Sequence, residues 1–583
     1  MTDKQAVVPA EPRRDALVTF TDGTILSAPV GTPLEQYTET WWARTGGDRP
    51  MAALVDNELR ELTIPVTHDF KVEPLTMRTS DGGRIYRRSL VFLLVVAAAE
   101  LFPEAKVVVD HALPTGAFYC RLRGRPRLSD DEIARLEAHM KAIAAADEPI
   151  RRQRVPLEDA IALFEKRGDD DKLRLMAYRD KDYLVLYTLR GMADYFFGYM
   201  VPSTGYLPTF ELRSYPPDGF IMMYPRRENP DVIQPYESSD KIADVFTRQS
   251  EWLELLGVED VGALNQAITN GRGRELVLVA EALHDQHIAE IAHDIAQRRR
   301  NGVRLVLIAG PSSSGKTTFS KRLAVQLMAH GLKPYPLAMD HYFVDRELTP
   351  RDENGELDFE NIDALNRPLL NDQLLALMRG EEVRIPHFDF IKGRSEPGET
   401  VQLSPDHILI VEGIHGLNPD LVPQVPGELV YRIYVSALTQ LNIDRHNRIP
   451  TTDVRLLRRM VRDAAFRGYS ALDTLDRWPS VRRGEKRWIF PYQENADVMF
   501  NTALVYELAA LRPLAEPLLR QIDRTSPRHP EAKRLLSFLG WVQPMPEDLV
   551  HFVPYDSLLR EFIGGSVLRD YMPGEGRTAG HAK

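Results

Sequence analysis

The stretch LVLIAGPSSSGKTTFSKRL, residues 305–323, decides the fold of the second half of the chain. Its first residues are branched aliphatics that predict a strand buried on both faces, and its last residues carry apolar side chains at helical spacing. Between strand and helix lies a full match to G-x-x-x-x-G-K-[ST], in the context that this loop requires. The stretch therefore predicts an α/β domain with a site for a nucleoside triphosphate.

Each position of the loop has an expected role. The glycines let backbone amides approach phosphate oxygens, and the helix N-terminus adds positive potential. Lys316 would neutralise outer phosphates, and the Thr317 hydroxyl would ligate magnesium. The motif alone does not distinguish a kinase from an ATPase or a GTPase. The predicted ATP-binding residues are Gly310, Pro311, Ser312, Ser313, Ser314, Gly315, Lys316, Thr317 and Thr318.

Length and composition narrow the class of protein. The 583 residues predict about three to five domains. A net charge of -11 argues against nonspecific binding to a long polyanion. The single cysteine, Cys120, excludes an intramolecular disulfide and a cysteine-based zinc cluster. The N-terminal residues lack the apolar core of a signal peptide, and the longest apolar run, 90–99, is too short to span a bilayer. We expect a cytoplasmic protein without a membrane partner.

Two acidic residues follow predicted strands of the same sheet. Asp340 ends PYPLAMD, and Glu412 ends HILIVE. Because ligands collect at the carboxyl ends of parallel strands, both should lie beside the γ-phosphate. Asp340 could accept a hydroxyl proton and help hold magnesium, and Glu412 could order the metal. The alternative for Asp340 is a helix N-cap or turn residue. We interpret the nearby His415 as a loop histidine.

A later helix carries a cluster of arginines. TTDVRLLRRMVRD places Arg455, Arg458, Arg459 and Arg462 on one face and an apolar stripe on the other. One interpretation is a solvated basic face paired with the neighbouring aspartates. We favour a lid over the phosphates, because clustered guanidiniums repel each other unless an anion is near and bind phosphoryl groups bidentately.

With these elements in place, the region 305–511 resembles the uridine kinase and phosphoribulokinase group of P-loop kinases. GPSSSGKTT, DHYF, DFENIDALN, IPHFDF, IVEGI, the arginine helix and PYQENAD come in that family's order. The resemblance implies ATP- and Mg²⁺-dependent phosphorylation of a nucleoside's 5'-hydroxyl in nucleoside salvage, with Asp340 as base and Arg455, Arg458 and Arg462 closing over the phosphates. It further implies metal ligands Thr317, Glu412 and Asp340, and a substrate pocket of Asp340, Tyr342, Glu360, Phe388, Asp389, Arg394 and Arg455.

The predicted nucleoside pocket departs from the uridine kinase pattern. Phe388 stands where those enzymes have a tyrosine, and Gly393 stands where a histidine follows. Glu360 replaces an aspartate that holds the sugar hydroxyls, and Tyr469 replaces an arginine. Sites that hydrogen-bond a substrate discriminate sharply, so the loss of these groups argues against uridine itself. The expected acceptor is a uridine- or cytidine-like nucleoside or another ribonucleoside.

The beginning of the chain predicts a small sheet. LVTFTDGTILSAPVG alternates around Asp22-Gly23, a two-residue hairpin signal, and AALVDNELREL adds a second strand pair. TPLE predicts a capping box with Thr32 as cap, Pro33 at the first helical position and Glu35 at the third. The resulting ββαββ stretch resembles the TGS domain at the front of threonyl-tRNA synthetases.

Residues 78–225 resemble the second, editing-type domain of the same synthetases. That domain binds a metal through two histidines on one helix and a later cysteine and histidine. Here Arg88 and Phe92 occupy the first pair of positions, and Phe196 and Met200 the second. None of these side chains is a usual zinc ligand. We therefore expect no zinc and no hydrolytic editing, and a scaffold with an apolar, arginine-bearing cleft. We expect Phe92, Phe196 and Met200 to pack in the core and not to form a ligand site. The functional alternative is a regulatory or RNA-contacting module.

The remaining segments are a helical connector and a C-terminal appendage. We expect His284, His287 and His293 of the connector on the helix surface. The predicted domains are a flexible N-terminus 1–14, a TGS-like β-grasp domain 15–77, the degenerate editing-like α+β domain 78–225, the connector 226–300, the kinase-like domain 301–515, a helical extension 516–572 and a flexible tail 573–583.

Two other functions remain open at this point. One is a nucleotide-switched RNA- or translation-associated binding protein, whose front half would bind tRNA or the ribosome. The other is a sugar-phosphate kinase of the phosphoribulokinase branch. In each case we expect a homo-oligomer.

Overall fold

The computed structural model describes residues 13–114, 116–236, 240–353, 355–389, 392–439 and 441–573. Residues 1–12 and 574–583, on which most of the two expected flexible ends fall, lie outside this description. The chain divides into two units. The first comprises Met1–Glu237, Arg445–Arg448 and Asp523–Glu531, and the second comprises the rest of the chain. In the described part of the chain, no helix has the length and apolar character needed to cross a membrane.

The first unit begins with a five-stranded sheet in the order β2-β1-β5-β3-β4. Alternate side chains of the first strand, Ala16, Val18 and Phe20, are buried in the core, as period-two alternation predicts. The sheet has one strand more than the expected ββαββ pattern, because the segment after the second strand pair joins it between β1 and β3. Its elements are β1 (Asp15–Phe20), β2 (Ile25–Pro29), α1 (Leu34–Thr45), β3 (Pro50–Val55), β4 (Glu58–Arg60) and β5 (Phe70–Thr76).

The capping box predicted before α1 does not form. Pro33 is the N-cap residue and not the first helical residue, and it makes no side-chain cap. The Thr32 hydroxyl instead donates to the Pro29 carbonyl at 2.7 Å. Glu35 accepts a hydrogen bond from the Tyr206 hydroxyl at 2.8 Å. A local turn contact therefore takes the Thr32 side chain, and a tertiary contact takes Glu35.

The rest of the first unit packs helices against two antiparallel sheets, in the orders β10-β9-β8 and β11-β12-β7-β6. The elements are α2 (Ser80–Leu101), β6 (Lys106–Leu113), β7 (Ala117–Arg123), α3 (Asp130–Ala145), β8 (Arg151–Pro156), α4 (Leu157–Arg167), α5 (Asp170–Met176), β9 (Tyr183–Leu189), β10 (Met192–Tyr195), β11 (Glu211–Tyr215) and β12 (Gly219–Met223).

Helix α2 is the central helix of this core. Thr79 caps it by accepting from the Gly82 amide, and residues 89–98, which include all of the apolar run except its last residue, are buried. Gly82 itself is required, because a Cβ there would lie 2.0 Å from the Thr76 carbonyl oxygen. The prediction of a buried helix for this run is confirmed.

The second unit starts with three helices and continues with the expected parallel sheet, in the order β14-β17-β13-β18-β19. Branched aliphatic runs fill its central strands, which are buried on both faces. The elements are α6 (Asp240–Leu256), α7 (Val261–Thr269), α8 (Gly273–Arg300), β13 (Leu305–Ala309), α9 (Lys316–Ala329), β14 (Lys333–Ala338), α10 (Arg367–Arg379), β15 (Glu382–Asp389), β16 (Arg394–Gln402), β17 (His407–Glu412), β18 (Val430–Ser436), α11 (Thr451–Phe466), α12 (Ala471–Trp488), β19 (Val498–Asn501), α13 (Glu507–Arg520), α14 (His529–Leu539), α15 (Glu547–Val550) and α16 (Arg560–Ile563).

The prediction for one histidine of α8 was wrong. His284 is buried and its ring packs on Phe500 at a centroid distance of 5.2 Å. Burial lowers the pKa of His284 to about 3, so the ring is neutral at physiological pH. The helical periodicity of α8 did not reveal this contact, because Phe500 comes from the distant strand β19.

Candidate functional site

The phosphate-binding loop joins β13 to α9. Gly310 approaches the Val435 carbonyl so closely that a Cβ would lie 1.9 Å from its oxygen. Ser313 and Gly315 have φ of 57° and 86°, and the helix begins immediately afterwards. This geometry directs the first amides of α9 toward the loop, as anion binding requires.

Lys316 lies inside the loop that it is expected to serve. Its ammonium donates to the Gly310 carbonyl at 2.8 Å and to the Pro311 carbonyl at 3.2 Å. Burial lowers its pKa, and Glu412 is the first of several carboxylates that partly oppose this shift. A phosphate would replace carbonyl oxygens with charged partners and hold the lysine protonated.

The two strand-end carboxyl groups lie in the same electrostatic environment as Lys316. Burial raises the pKa of Glu412 to about 7, and repulsion from Asp340 adds to this shift. The pKa of Asp340 is also raised by surrounding protein atoms, although the open site leaves its side chain exposed to solvent. Lys316 opposes the shift in both groups. Ala338 of β14 is in register with Glu412 of β17, so Glu412 ends one strand and Asp340 follows the carboxyl end of its neighbour.

Thr317 and Glu412 form a pair of oxygen ligands suited to magnesium. The Thr317 hydroxyl donates to the Glu412 carboxylate at 3.0 Å. Hard oxygen donors of this kind are what Mg²⁺ prefers, and a carboxyl group with a raised pKa is one that a cation would stabilise as the anion. Among the described residues there is no cluster of three or more His, Cys, Asp or Glu side chains able to hold a metal on their own.

Helix α11 brings two of its arginines to the loop. Arg455 donates to the Ser312 carbonyl at 2.9 Å, and Arg459 donates to the Ser312 hydroxyl at 2.8 Å. Arg455 also forms a fully buried bidentate pair with Glu485. The loop and the arginine helix are therefore directly connected.

The other two predicted arginines have different surroundings. Arg458 is fully buried, where it pairs with Glu507 and donates to the Thr502 carbonyl at 2.8 Å. Its guanidinium therefore supports the packing of the helix in this structure and does not face the loop as expected. Arg462 is only partly buried and pairs with Asp463 at 2.8 Å. Its role over the phosphates stays a prediction.

The predicted substrate residues fall into two groups. Tyr342 and Phe388 are buried: the Tyr342 hydroxyl donates to Gln373 at 2.8 Å, and the Phe388 ring packs on Phe343 at 5.6 Å. Asp389 and Arg394 lie opposite each other in the register of the β15–β16 hairpin, and Arg394 is exposed. Within the hairpin, Phe388 is therefore buried, whereas Arg394 faces solvent.

Glu360 lies with the phosphate-site charges. Burial raises its pKa to about 7, Glu485 adds to the shift, and Arg459 and Lys316 oppose it. Gly484 makes room for it, because a Cβ at that position would lie 2.2 Å from the Glu360 Cβ. Glu360 is thus a strong candidate for contact with a polar acceptor.

Two residues that contact the phosphate loop and its helix were missed as functional candidates from sequence, and His415, interpreted as a loop histidine, is more enclosed than expected. Glu485 accepts from the Ser312 amide at 3.2 Å while it holds Arg455. Glu561 accepts from the Thr318 hydroxyl at 2.8 Å. His415 is buried, and burial lowers its pKa to about 4. The sequence offered a signal for Glu485 alone: it is a single glutamate in the basic run VRRGEKRW, and buried arginines need an acidic partner.

The first unit has no open cleft at the four positions of the lost metal ligands. Phe92, Phe196 and Met200 are buried in the core, and the Phe92 and Phe196 rings lie 5.1 Å apart. Arg88 donates to the Tyr199 carbonyl at 2.5 Å. The predicted core packing of the three apolar residues is confirmed, and the predicted apolar cleft is wrong because these side chains fill it.

The fold and the loop together define a P-loop phosphotransferase domain. Residues 305–508 match the family model described as the Phosphoribulokinase / Uridine kinase family. The match covers this segment of the chain and implies that the segment uses ATP and Mg²⁺.

Curated relatives match about a third of the chain, within its N-terminal half. A threonine–tRNA ligase of Symbiobacterium thermophilum is 32% identical over 198 residues, which are 34% of this chain and 30% of the ligase. A threonine–tRNA ligase of Geobacter sp. strain M21 is 30% identical over 200 residues, 34% of this chain and 31% of the ligase. The chain thus spans about a third of the length of these relatives.

Solved structures of kinases show a weak similarity to part of the chain. Phosphoribulokinase from Rhodobacter spheroides has 19% identity and a TM-score of 0.25, and the match covers 34% of this chain and 70% of that one. D-glycerate 3-kinase from Cryptococcus neoformans has 16% identity and a TM-score of 0.21, and the match covers 44% and 87% of the two chains.

Proposed function

We propose that the protein transfers the γ-phosphate of ATP to the 5'-hydroxyl of a nucleoside. The observation that carries the proposal is the placement of acidic side chains beside the phosphate loop. The Thr317 hydroxyl donates to Glu412 at 3.0 Å, and Asp340 follows β14, whose Ala338 is in register with Glu412 of β17. A protein that used the nucleotide only as a switch would not need an acceptor carboxylate beside the phosphate loop.

The roles of the residues follow from their positions. The loop amides and Lys316 bind the phosphates, and Thr317 and Glu412 would hold Mg²⁺, which when bound neutralises phosphate charge. Asp340 is the group that takes the proton from the acceptor hydroxyl, because it is exposed to the open site and its raised pKa makes it a better base than an ordinary aspartate. Arg455 and Arg459 hold the loop through Ser312.

The pocket favours an acceptor that Glu360 can bind by its hydroxyl groups. Phe388 offers no hydrogen-bonding group to a base, and its ring is buried. Specificity would therefore come from polar contacts at the sugar more than from contacts at the base. This supports a ribonucleoside without selecting uridine.

The test measures ADP release with ATP and Mg²⁺ in the presence of ribonucleosides, deoxyribonucleosides and pentose phosphates, with each product identified by mass. We expect a nucleoside 5'-monophosphate from one or a few ribonucleosides. If the product is instead a phosphorylated pentose phosphate, the acceptor is a sugar phosphate and not a nucleoside. A panel without acceptor-dependent turnover would overturn the kinase proposal.

A second candidate is a nucleotide-switched protein that binds RNA. It is favoured by the similarity of the front half to threonine–tRNA ligases. Stoichiometric RNA in the purified protein, released when ATP is added, would support this candidate. The acidic groups that surround Lys316 favour the kinase.

A further inference from the structure

Four residues of the first unit lie far from the rest of that unit in the sequence. Arg445–Arg448 belong to the first unit, whereas Asp444 and Ile449 on either side belong to the second. We call Arg445–Arg448 the anchor segment. Each of its residues has defined partners in the first unit.

Arg445 is held by side-chain and backbone contacts. Its guanidinium lies 2.6 Å from Asp169 and 2.7 Å from Asp171. Its amide donates to the Asp171 carboxylate at 2.9 Å, and its carbonyl accepts from the Val109 amide at 2.9 Å. Two carboxylates and two backbone bonds fix both the position and the direction of the chain here.

His446 is inserted into a buried charge cluster. Its Nδ1 lies 2.8 Å from a carboxylate oxygen of Asp194, and its ring stacks on Phe196 at 5.9 Å. The other oxygen of Asp194 lies 3.1 Å from the ammonium of Lys172, and both of these side chains are fully buried. Burial raises the pKa of Asp194, but Lys172 and His446 outweigh it, so the pKa lies well below its usual range. Asp194 is therefore an anion that the anchor segment helps to satisfy.

Asn447 and Arg448 complete the contacts. The side-chain amide of Asn447 accepts a hydrogen bond from the backbone amide of Phe197 at 2.7 Å and donates one to the backbone carbonyl of Tyr195 at 3.2 Å. The Arg448 guanidinium lies 5.6 Å from the Phe118 ring centre. A surface loop would not need such a set of specific partners.

The cluster surrounds one of the lost metal-ligand positions. Phe196 takes one of the four positions, and His446 packs on its ring. At a position where the synthetase domain that it resembles has a metal ligand, this chain therefore packs a histidine of its own.

We propose that Asp194, Lys172, Asp169 and Asp171 are positioning residues that act on phosphoryl transfer by holding the anchor segment. Helix α11 begins at Thr451, three residues after Arg448, and so starts within about 10 Å of a held residue. The same helix carries Arg455 and Arg459, which contact Ser312 of the phosphate loop. This inference rests on the proposed function for its effect on turnover, but its effect on α11 is independent of the substrate.

The test uses two full-length variants with matched controls. His446→Phe keeps a ring on Phe196 and removes the bond to Asp194. Arg445→Gln removes the charge that pairs with Asp169 and Asp171. The controls are His139→Phe and Arg190→Gln, since His139 pairs with Glu100 and Arg190 pairs with Glu100 and Glu148 near the surface of the same unit.

Hydrogen exchange of peptides from residues 451–466 gives the substrate-independent readout. We expect faster exchange in both anchor variants and unchanged exchange in both controls. In an active enzyme we also expect kcat to fall by about 3- to 30-fold, with a smaller change in the Kd for ATP, because Lys316 is intact.

Unchanged exchange in α11 in both anchor variants would overturn the proposal, whether or not a substrate has been found. Faster exchange with unchanged kcat would overturn the effect on turnover. Should one variant fail to fold, the other decides, and Asn447→Ala supplies a milder third case. If wild-type protein phosphorylates nothing, the proposed function fails while the exchange experiment still decides the anchoring.

Discussion

At the scale of single residues, Lys316 and Asp340 separate binding from chemistry. We expect Lys316→Ala to remove phosphoryl transfer and to weaken ATP binding severely, because the ammonium lies within the phosphate loop. Asp340→Asn keeps the shape of the side chain but loses the basic oxygen. It should lower kcat by about 10²- to 10⁴-fold with ATP binding retained.

Calorimetric ATP titration and single-turnover kinetics on the two variants measure these effects. The conservative control is Asp340→Glu, which retains a carboxylate and should retain some turnover. Full activity in Asp340→Asn would remove Asp340 from the role of base.

The raised pKa values of Glu412 and Glu360 should make the stability of the protein depend on pH near neutrality. The pKa of each is raised from 4.5 to about 7 in the ligand-free protein, chiefly by burial. Between these values the folded state holds more protons than the unfolded state. The free energy of unfolding should therefore fall as pH rises from about 4.5 to 7.

Thermal unfolding between pH 5 and pH 8 tests this dependence. The Glu412→Gln and Glu360→Gln variants should each show a shallower decline than wild type, since a glutamine cannot lose a proton. Identical slopes in all three proteins would show that these groups titrate near their ordinary values.

The sequence revealed the residues of the site that lie in contiguous motifs. Lys316 and Thr317 belong to one loop motif, and Asp340 and Glu412 end recognisable strands. Glu485 and Glu561 escaped because their partners, Ser312 and Thr318, are more than a hundred positions away in the chain. No local pattern encodes such a pairing.

At the scale of elements, helix α11 combines structural and solvent-reaching arginines. Arg458→Ala should destabilise the second unit by about 3–5 kcal/mol, because it leaves Glu507 buried without its cationic partner. Arg462→Ala should change stability by less than about 1 kcal/mol, since Asp463 keeps Arg459 as a partner.

Denaturant unfolding of both variants, with kcat measured under native conditions, separates the two kinds of arginine. Lower kcat in Arg462→Ala with unchanged stability would support its place over the phosphates. Equal destabilisation by both substitutions would contradict the distinction between a structural Arg458 and a solvent-reaching Arg462.

Helix α2 carries the prediction about metal. Arg88 and Phe92 stand where metal-binding histidines would be, and Phe92 is fully buried against Phe196. We expect the purified full-length protein to contain no stoichiometric zinc. Elemental analysis after dialysis against a weak chelator checks this, and one zinc per chain would contradict it.

Elements with strong periodicity were predictable, and local caps were not. The branched runs of β13 and β17 and the apolar run of α2 determine their own burial. The TPLE pattern failed because Glu35 is bonded to Tyr206, which lies well outside the local pattern. The extra strand β5 was missed for the same kind of reason, since it pairs with β1 and β3.

At the scale of the whole molecule, the first unit is assembled from three stretches of the chain. Besides Arg445–Arg448 it includes Asp523–Glu531, where Arg524 and Ser526 accept hydrogen bonds from the Asn57 amide at 2.9 and 2.8 Å. A fragment of residues 1–237 would therefore lack part of its own unit.

We expect this fragment to unfold at a lower temperature than the first unit of the intact protein, because Asp194 would lose its contact with His446. A peptide of residues 441–450 added to the fragment should raise the unfolding temperature, and the same peptide with His446→Ala should raise it less. An equally stable fragment without any peptide would contradict the prediction.

The placement of Arg445–Arg448 also sets an order of events during translation. At about 5–20 residues per second, the ribosome adds the roughly 200 residues between Glu237 and His446 in about 10–40 seconds. Throughout that interval the nascent front unit holds Asp194 and Lys172 without the histidine that completes their cluster. The front unit is made first but finished late, so its final folding step waits for two short segments that the ribosome adds only with the second half of the chain.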